Sequence, residues 1–374
     1  MAESSQKRSV KRVFILAGEA SGDAYGGKLV EALKQASAEV EILAWGGEAM
    51  EQAGAHVLRH YRSLAFMGVW EVVKNLQTIT KLLKECQQAL EAFQPDVFVG
   101  IDYPGFNLRM AKHARKMGIQ THHYISPSVW AWKKRRIKAI ARDINQLHVI
   151  LPFEKPWYAA QGMHVNWVGH PLPELFEENQ SPGNTPSDKP ILLLLPGSRK
   201  QELEKMLPVM IEAAHALTQF TPIIAGAPGR KSSDYPNFDQ TGIKTVFGET
   251  HDLMRSAAVG MVTSGTATLE AALLGMPQVI GYRTSAFTYA VAKLLVHSKW
   301  IGLPNILAEQ TIVPELIQSE CTAEALAHAV RALHDGQSLT EKGNEQRVEI
   351  QRLSATLESS APASALVARS ILNG

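Results

Sequence analysis

Short apolar runs alternate with segments of helical period along almost the whole chain, and the alternation stops once and restarts. "RVFILAG" (12–18) reads as a strand, followed by a helix from about Asp23 to Ala36. "VEILAWGG" (40–47), "DVFVGIDYPG" (96–105) with a helix from Asn107 to Met117, "IQTHHYISPS" (119–128), "QLHVILP" (146–152) and "HVNWVGHP" (164–171) continue the pattern. Strands separated by helices pair in parallel, with helices on both faces of the sheet. "ENQSPGNTPSDKP" (178–190) then breaks the pattern with Pro, Gly, Ser and Asn and no large apolar residue, as an exposed linker does. The pattern restarts at "ILLLLPGSR" (191–199) and runs through "TPIIAGAPG" (221–229), "IKTVFG" (243–248), "AVGMVTSG" (258–265) and "PQVIGYR" (277–283). The expectation is an α/β protein of two Rossmann-like parallel-sheet domains, residues 1–177 and 191–353, facing across a cleft. For the tail, 354–374, the expectation is a helix that packs back on the first domain or on a partner subunit.

Composition sets bounds on the partners. The 374 residues are 45% hydrophobic, enough for two cores, and the net charge of +2 is too small for a dedicated nucleic-acid binder. Cys86 and Cys321 form no metal or redox spacing and suit a reducing compartment. The apolar run Val13–Ala17 is too short for a signal-peptide core, and no run reaches the ~18 residues of a membrane span. A cytoplasmic protein follows, with peripheral membrane contact left open.

In such sheets ligands bind beyond the carboxyl ends of the strands, so chemistry is sought in the loops there. In "TSGTATLE", Ser264, Thr266 and Thr268 surround Gly265 at a helix start, where free N–H groups and the helix dipole attract anions. Glu270 lies on the same helix, within reach of a ribose hydroxyl; the plainer alternative is a capped helix with a surface Glu. This pattern resembles the nucleotide-sugar signature of GT-B glycosyltransferases. Arg199 follows a strand–Pro–Gly–Ser turn, where a guanidinium can clamp a phosphate; a surface Arg at a helix start is the alternative. In the first domain "LAGEASGDAYGG" (16–27) lacks the G-x-G-x-x-G of a dinucleotide site, so no NAD is inferred. Glu19 and Asp23 are placed there to accept from sugar hydroxyls, with an N-cap as the alternative for Asp23. Asp102 ends an apolar strand, a setting that can adjust a carboxylate for base work, with an Asp that organises the following loop as the alternative, and Asn107 could cap the next helix. His122 and His123 alternate faces, so one is expected to be packed, while His170 is a weaker site candidate. H-E-x-x-H, C-x-x-C and D-x-D patterns are missing, so the motifs do not point to metal-assisted chemistry.

Two segments join aromatic and basic residues. In "SPSVWAWKKRRIKAI" (126–140), Ser126 or Ser128 can cap a helix whose apolar face is Val129, Ile137, Ile140 and Ile144. Lys134, Arg135, Lys138 and Arg142 lie opposite, while Lys133 projects to the apolar side and Arg136 to its edge near Trp132. Either the helix begins after these residues or their cations turn toward the cleft. In "FMGVWEVVKNLQTITKLLKE" (66–85), Val72, Leu76, Ile79, Leu83 and Cys86 form the core face, and Trp70 shares a face with Lys74, Lys81 and Lys84. That second face suits a membrane interface or an ordinary solvated surface.

Taken in order, "AGEASGD" (17–23), "FMGVWEV" (66–72), "VFVGIDYPGFN" (97–107), "YISPSVWAW" (124–132), "LPFEK" (151–155), "GHPL" (169–172), "LLPGSR" (194–199), "SGTATLE" (264–270), "GYR" (281–283) and "LPN" (303–305) cover nearly the whole chain. This series is similar to the lipid-A-disaccharide synthase family of GT-B glycosyltransferases. The resemblance implies an inverting enzyme of lipopolysaccharide synthesis, with no cofactor. It would join UDP-2,3-diacylglucosamine to 2,3-diacylglucosamine 1-phosphate, giving a β-1,6-linked disaccharide 1-phosphate and UDP. It further implies Asp102 as base with Glu19 as runner-up, and Arg199, Ser264, Gly265 and Thr266 at the diphosphate. Glu270 would hold the ribose and Asn305 would serve UDP from the second domain. Acylated, phosphorylated substrates assign Lys133, Arg136, Trp132 and Trp70 to the acceptor and the membrane. The protein would sit peripherally on the inner face of the cytoplasmic membrane, with a homodimer left open and no nucleic-acid partner. The rival readings are a hydrolysing UDP-N-acetylglucosamine 2-epimerase and a non-catalytic UDP-sugar-binding protein.

Overall fold

The computed structural model describes residues 10–64, 76–130, 136–176, 189–228, 230–285 and 299–374. The chain forms two compact units: residues up to Leu175 together with Leu357–Gly374, and Phe176–Thr356. Of the stretch read as a linker, residues 178–188 lie outside the described residues.

The first unit runs β1 (Lys11–Ala17), α1 (Ala20–Ala36), β2 (Val40–Gly46), α2 (Glu48–Gln52), β3 (His56–His60), α3 (Leu76–Phe93) and β4 (Val97–Ile101). It continues with α4 (Pro104–Lys116), β5 (Gln120–Tyr124), α5 (Arg136–Asp143), β6 (Gln146–Val149), α6 (Glu154–Ala159) and β7 (Asn166–Trp167). Its seven parallel strands are ordered β3-β2-β1-β4-β5-β6-β7. Phe14, Leu16 and Phe98 on one face meet Leu82, Cys86, Leu90 and Phe93 of α3 in one core. The buried stripe of α3 is led by Leu82, with Leu83 half-buried at its edge and Lys81 and Lys84 exposed. Trp70, Val72 and Lys74 lie outside the described residues.

The second unit runs β8 (Ile191–Leu195), α7 (Lys200–His215), β9 (Thr221–Gly226), α8 (Phe238–Thr241), β10 (Lys244–Phe247), α9 (Thr250–Ser256), β11 (Val259–Thr263) and α10 (Thr266–Leu273). Then follow β12 (Gln278–Tyr282), α11 (Leu303–Ala308), β13 (Glu315–Ile317), α12 (Ala323–Leu333) and α13 (Glu341–Leu357). The strand order is β10-β9-β8-β11-β12-β13, again all parallel. "ILLLL" is buried along its whole length because helices cover both faces of β8, which is why it reads as a continuous apolar run and not as an alternation.

The same double cover corrects one expectation. His122 and His123 point to opposite faces of β5, yet both are fully buried, because neither face of this sheet meets water. A last helix, α14 (Ala363–Asn373), packs on α1 with Val367, Ala368 and Ile371 buried. Its start is fixed by Glu174, which accepts from the Ser364 N–H (3.1 Å) and hydroxyl. Among the described residues, no helix is long and apolar enough to cross a membrane.

Candidate functional site

Strand order decides where each unit can bind. In the first sheet β1 is flanked by β2 and β4, so successive connections leave β1 in opposite directions and the loops after β1 and β4 diverge. Those loops are Gly18–Glu19 and Asp102–Tyr103. In the second sheet the equivalent position lies between β8 and β11. Its loops are residues 196–199 and Ser264–Gly265.

Asp102 and Tyr103 both adopt the left-handed region, with φ of 44° and 45°. Two consecutive non-glycine residues there store about 1–3 kcal/mol each, and persist only where their surroundings hold them. Here the Asp102 N–H donates to the Tyr124 carbonyl at 2.8 Å. Asn107 is fully buried, and its Nδ2 donates to the carbonyls of Asp102 (2.7 Å), Ile101 (3.1 Å) and Leu16 (3.4 Å). This corrects the reading of Asn107 as a cap: α4 begins at Pro104 with Tyr103 at its N-cap, and Asn107 pins the preceding loop from inside the helix. The Tyr103 ring lies on Gly18, where a Cβ would come within 2.3 Å of it, and its hydroxyl donates to the Leu64 carbonyl at 2.6 Å. Burial and then the nearby Glu19 carboxylate raise the Tyr103 phenol pKa, so the two loops share one electrostatic environment. Asp102 itself is raised by burial, opposed by the Tyr103 N–H.

Asp23 is not the cap of its own helix, and its carboxylate is buried and turned to backbone donors. Helix α1 begins at Ala20, and the buried Asp23 carboxylate accepts from the N–H groups of Gly47 (2.6 Å), Ala49 (3.0 Å) and Met50 (3.3 Å), holding the start of α2. His170 is also internal: its Nδ1 accepts from the Leu172 N–H at 3.2 Å, and burial lowers its pKa to about 4.

At the second switch point Arg199 stands at the N-cap of α7 with its side chain 62% exposed, its Nη1 3.1 Å from Glu202 Oε1. Glu202 also accepts from the N–H groups of Ser198 and Arg199, both at 3.2 Å. Arg230 braces the same turn through Nε to the Ser198 carbonyl at 2.6 Å. On the adjacent loop Gly265 has open space where a Cβ would stand, and Thr266 is exposed at the first position of α10. The first N–H groups of a helix have no intrahelical acceptor, so this end presents donors outward. The Ser264 hydroxyl donates to the Ile301 carbonyl at 2.8 Å, and Thr268 Oγ1 to the Gly265 carbonyl at 2.8 Å. Glu270 meets His251 Nε2 at 3.2 Å, and that imidazole stands edge-on to Phe176 with centroids 4.9 Å apart.

Asn305 requires a correction. It is fully buried, and every polar valence is used inside the fold. Nδ2 donates to the Val313 carbonyl (2.7 Å) and Glu315 (2.8 Å), while Oδ1 accepts from Ile312 and Val313 N–H (both 2.8 Å). With two donors and two acceptors occupied, its amide has nothing left to offer a nucleotide.

Lys133 and Trp132 lie outside the described residues, as does Trp70. Arg136 begins α5, is half-buried, and has its pKa lowered by that burial. Val129, Ile137, Ile140 and Ile144 do share one core. Ser126 caps no described helix: its hydroxyl lies 2.7 Å from the Tyr158 hydroxyl and 3.0 Å from the Pro127 carbonyl. Glu154 was not singled out from sequence. It is buried beyond the end of β6, accepts from Ile150 (3.2 Å) and Leu151 (3.0 Å) N–H, and is pushed up to about 7 by burial. The available signal was its place in "LPFEK", an acidic residue just past a strand.

The chain matches the family described as lipid-A-disaccharide synthetase over residues 13–369. It is 37% identical over 337 residues to the lipid-A-disaccharide synthase of Syntrophus aciditrophicus, covering 86% of this chain and 88% of that protein. The synthase of Trichlorobacter lovleyi is 38% identical over 341 residues, covering 87% and 89%. Among solved structures, the UDP-GlcNAc 2-epimerase of Methanocaldococcus jannaschii in complex with UDP-GlcNAc and UDP is similar, with a TM-score of 0.63 at 15% identity, covering 97% of this chain and 100% of that one. The glycotransferase of kitacinnamycin gives a TM-score of 0.65 at 13% identity, covering 98% and 99%. At such identities these two structures speak to the fold alone, that of GT-B glycosyltransferases and epimerases.

Proposed function

The chain belongs to the lipid-A-disaccharide synthase family, and from that premise we propose how its two switch-point loops divide the work. The protein is a glycosyltransferase of lipid A biosynthesis that takes a UDP-sugar donor and a lipid-phosphate acceptor. In the proposed reaction the 6-hydroxyl oxygen of 2,3-diacylglucosamine 1-phosphate attacks the anomeric carbon of UDP-2,3-diacylglucosamine. The bond from that carbon to the diphosphate breaks, UDP leaves with the electron pair, and the configuration inverts. Asp102 takes the hydroxyl proton; Glu19, on the neighbouring loop, is the second candidate. The observation that carries this reading is the Asp102 turn. A strained left-handed pair is pinned by Tyr124 and Asn107 so that one carboxylate of raised pKa stands at the switch point. Raising the pKa of a base brings it toward the operating pH and strengthens it.

In the second unit we assign the diphosphate to Arg199 and the outward N–H groups at Gly265 and Thr266, with the Thr266 hydroxyl beside them. Arg199 would exchange Glu202 for phosphate. The Ser264 proton is committed to Ile301, so Ser264 serves by shaping its loop. Glu270, with His251 behind it, faces the ribose, and Asn305 supports the loops from within. The acceptor and the anionic membrane surface would be met by Arg136, Lys133, Trp132 and Trp70, with the protein peripheral on the inner face of the cytoplasmic membrane.

Release of UDP tests this directly. UDP should appear only when both UDP-diacylglucosamine and the lipid monosaccharide 1-phosphate are present. Arg199→Ala should weaken UDP binding about tenfold, the scale of one charge-assisted contact. UDP release without acceptor would favour the epimerase-type reading, and unchanged UDP affinity would remove Arg199 from the site.

A further inference from the structure

Glu315, the first residue of β13, makes no ion pair among the described residues; its hydrogen-bonded partners are backbone and amide donors. Oε2 accepts from the Ile301 N–H at 3.0 Å, and Oε1 from the Gly302 N–H at 2.9 Å and Asn305 Nδ2 at 2.8 Å. Asn305 is in turn locked by Ile312 and Val313, which run into β13. The carbonyl of Ile301 takes the Ser264 hydroxyl proton at 2.8 Å. A continuous chain of charge-assisted and neutral hydrogen bonds therefore runs from a sheet strand, through one peptide unit, to the loop whose N–H groups open outward at α10. Hydrogen bonds to an ionised carboxylate are the stronger kind and fix direction as well as distance. Donation by Ser264 also turns its hydroxyl proton inward, and its N–H is held by the Gly281 carbonyl at 3.2 Å, which leaves the N–H groups of Gly265 and Thr266 as the outward-facing set.

We propose that Glu315 is a positioning residue for the donor half of the reaction, acting through the Ile301–Gly302 backbone on the Ser264–Thr266 loop. This rests on the assignment of that loop to UDP given above. Glu315 itself touches no substrate. Its role is to keep a short, exposed loop in the one geometry that points its N–H groups at a diphosphate, in advance of binding.

The test uses Glu315→Gln, which is isosteric but replaces one acceptor by a donor facing an N–H group. Three readouts are needed: amide hydrogen exchange over residues 264–268, the UDP Kd, and the steady-state constants. We expect faster exchange over 264–268, a UDP Kd and UDP-sugar KM raised about tenfold, and an acceptor KM within about twofold of wild type. In a Ser264→Ala background, the effect of Glu315→Gln on UDP Kd should shrink to about twofold or less, as coupled residues require. Unchanged exchange over 264–268, or the same loss of UDP affinity in both backgrounds, would overturn the proposal. Faster exchange with UDP Kd untouched by Glu315→Gln, Ser264→Ala and Arg199→Ala alike would instead overturn the placement of UDP on this loop, and with it the role given to Glu315. Should Glu315→Gln not fold, Gly302→Ala perturbs the same contact. Its Cβ would lie 3.0 Å from Glu315 Oε1 and 2.3 Å from the movable end of Ile280, and the same outcomes apply.

Discussion

A single carboxylate carries the proposed chemistry: burial and the Tyr103 N–H tune Asp102, and it makes no ion pair among the described residues. Asp102→Asn keeps shape and tolerance of the left-handed region, so the turn should persist. Turnover should fall ~100-fold or more while UDP affinity holds. Stability should move the other way. The folded pKa is raised, so this group's contribution is fully present below the unfolded carboxylate value and is lost as pH rises through the folded one. At pH ~7 the wild type carries that loss and the Asn variant does not, so the variant should unfold at slightly higher urea near neutrality, with the difference gone in acid. The acid limb of kcat/KM in the wild type should lie above the ordinary carboxylate range. Glu154, pushed up to about 7 by burial, is another carboxyl able to produce such a limb. If Glu154→Gln shifts the limb and Asp102→Asn leaves it in place, the base has been misassigned. Asp102 and Arg199 stand out as candidates in the sequence because Asp102 follows its strand at once and Arg199 four residues on, and strand ends are where parallel sheets bind. Asp23, Asn107 and Asn305 were misread for one shared reason: a small polar residue in a loop looks the same whether it faces a ligand or satisfies buried backbone groups.

At the scale of the element, β5 and β6 pose the sharpest question, since they bury His122, His123 and His148. His122 Nδ1 lies 3.1 Å from His148 Nε2, and burial lowers the pKa of His122 and His123 to about 4 and of His148 to about 3. An unfolded imidazole titrates near ~6.5, so these depressed groups favour the unfolded chain once it takes up protons that the fold refuses. The contribution of these three groups should be flat above pH ~6.5 and should cost stability steadily from there down toward the folded values. Among the described residues, His123 has no hydrogen-bond partner at either ring nitrogen. His123→Leu should therefore cost little at pH ~7 and raise the thermal midpoint at pH ~5. A variant that loses stability equally at both pH values would show that His123 is held by contacts its charge state does not govern. Helix starts are a second lesson at this scale: α1 and α4 each begin three residues before the first polar residue taken as their start, at Ala20 and Pro104. Pro at a first helical position is a start signal in its own right, because its missing N–H is not needed there.

Across the whole molecule, the chain returns to the first unit for its last helix. Val367 and Ile371 of α14 are fully buried, so Ile371→Ala should cost about 2–5 kcal/mol in the unfolding of that unit. Removing residues 358–374 should leave the first unit aggregation-prone, since it uncovers the face of α1. Equal urea midpoints for Ile371→Ala and wild type would mean that α14 is not integral to that core. The sequence by itself determined two parallel α/β sheets, the strands that build them and the loops that could bind, because helix and strand periods and glycine- or proline-rich breaks are local properties of the chain. Its ordered motifs also determined the family. Only the tertiary structure decided which polar residues in those loops remain available. The hydrogen bonds that occupy Asp23 come from 24 to 27 residues away. Those that place Ser264 under Glu315 pass through Ile301, at separations of 37 and 14 residues. Such pairings depend on which strands become neighbours, and strand order is set by the packing of the whole sheet, not by any local stretch of sequence.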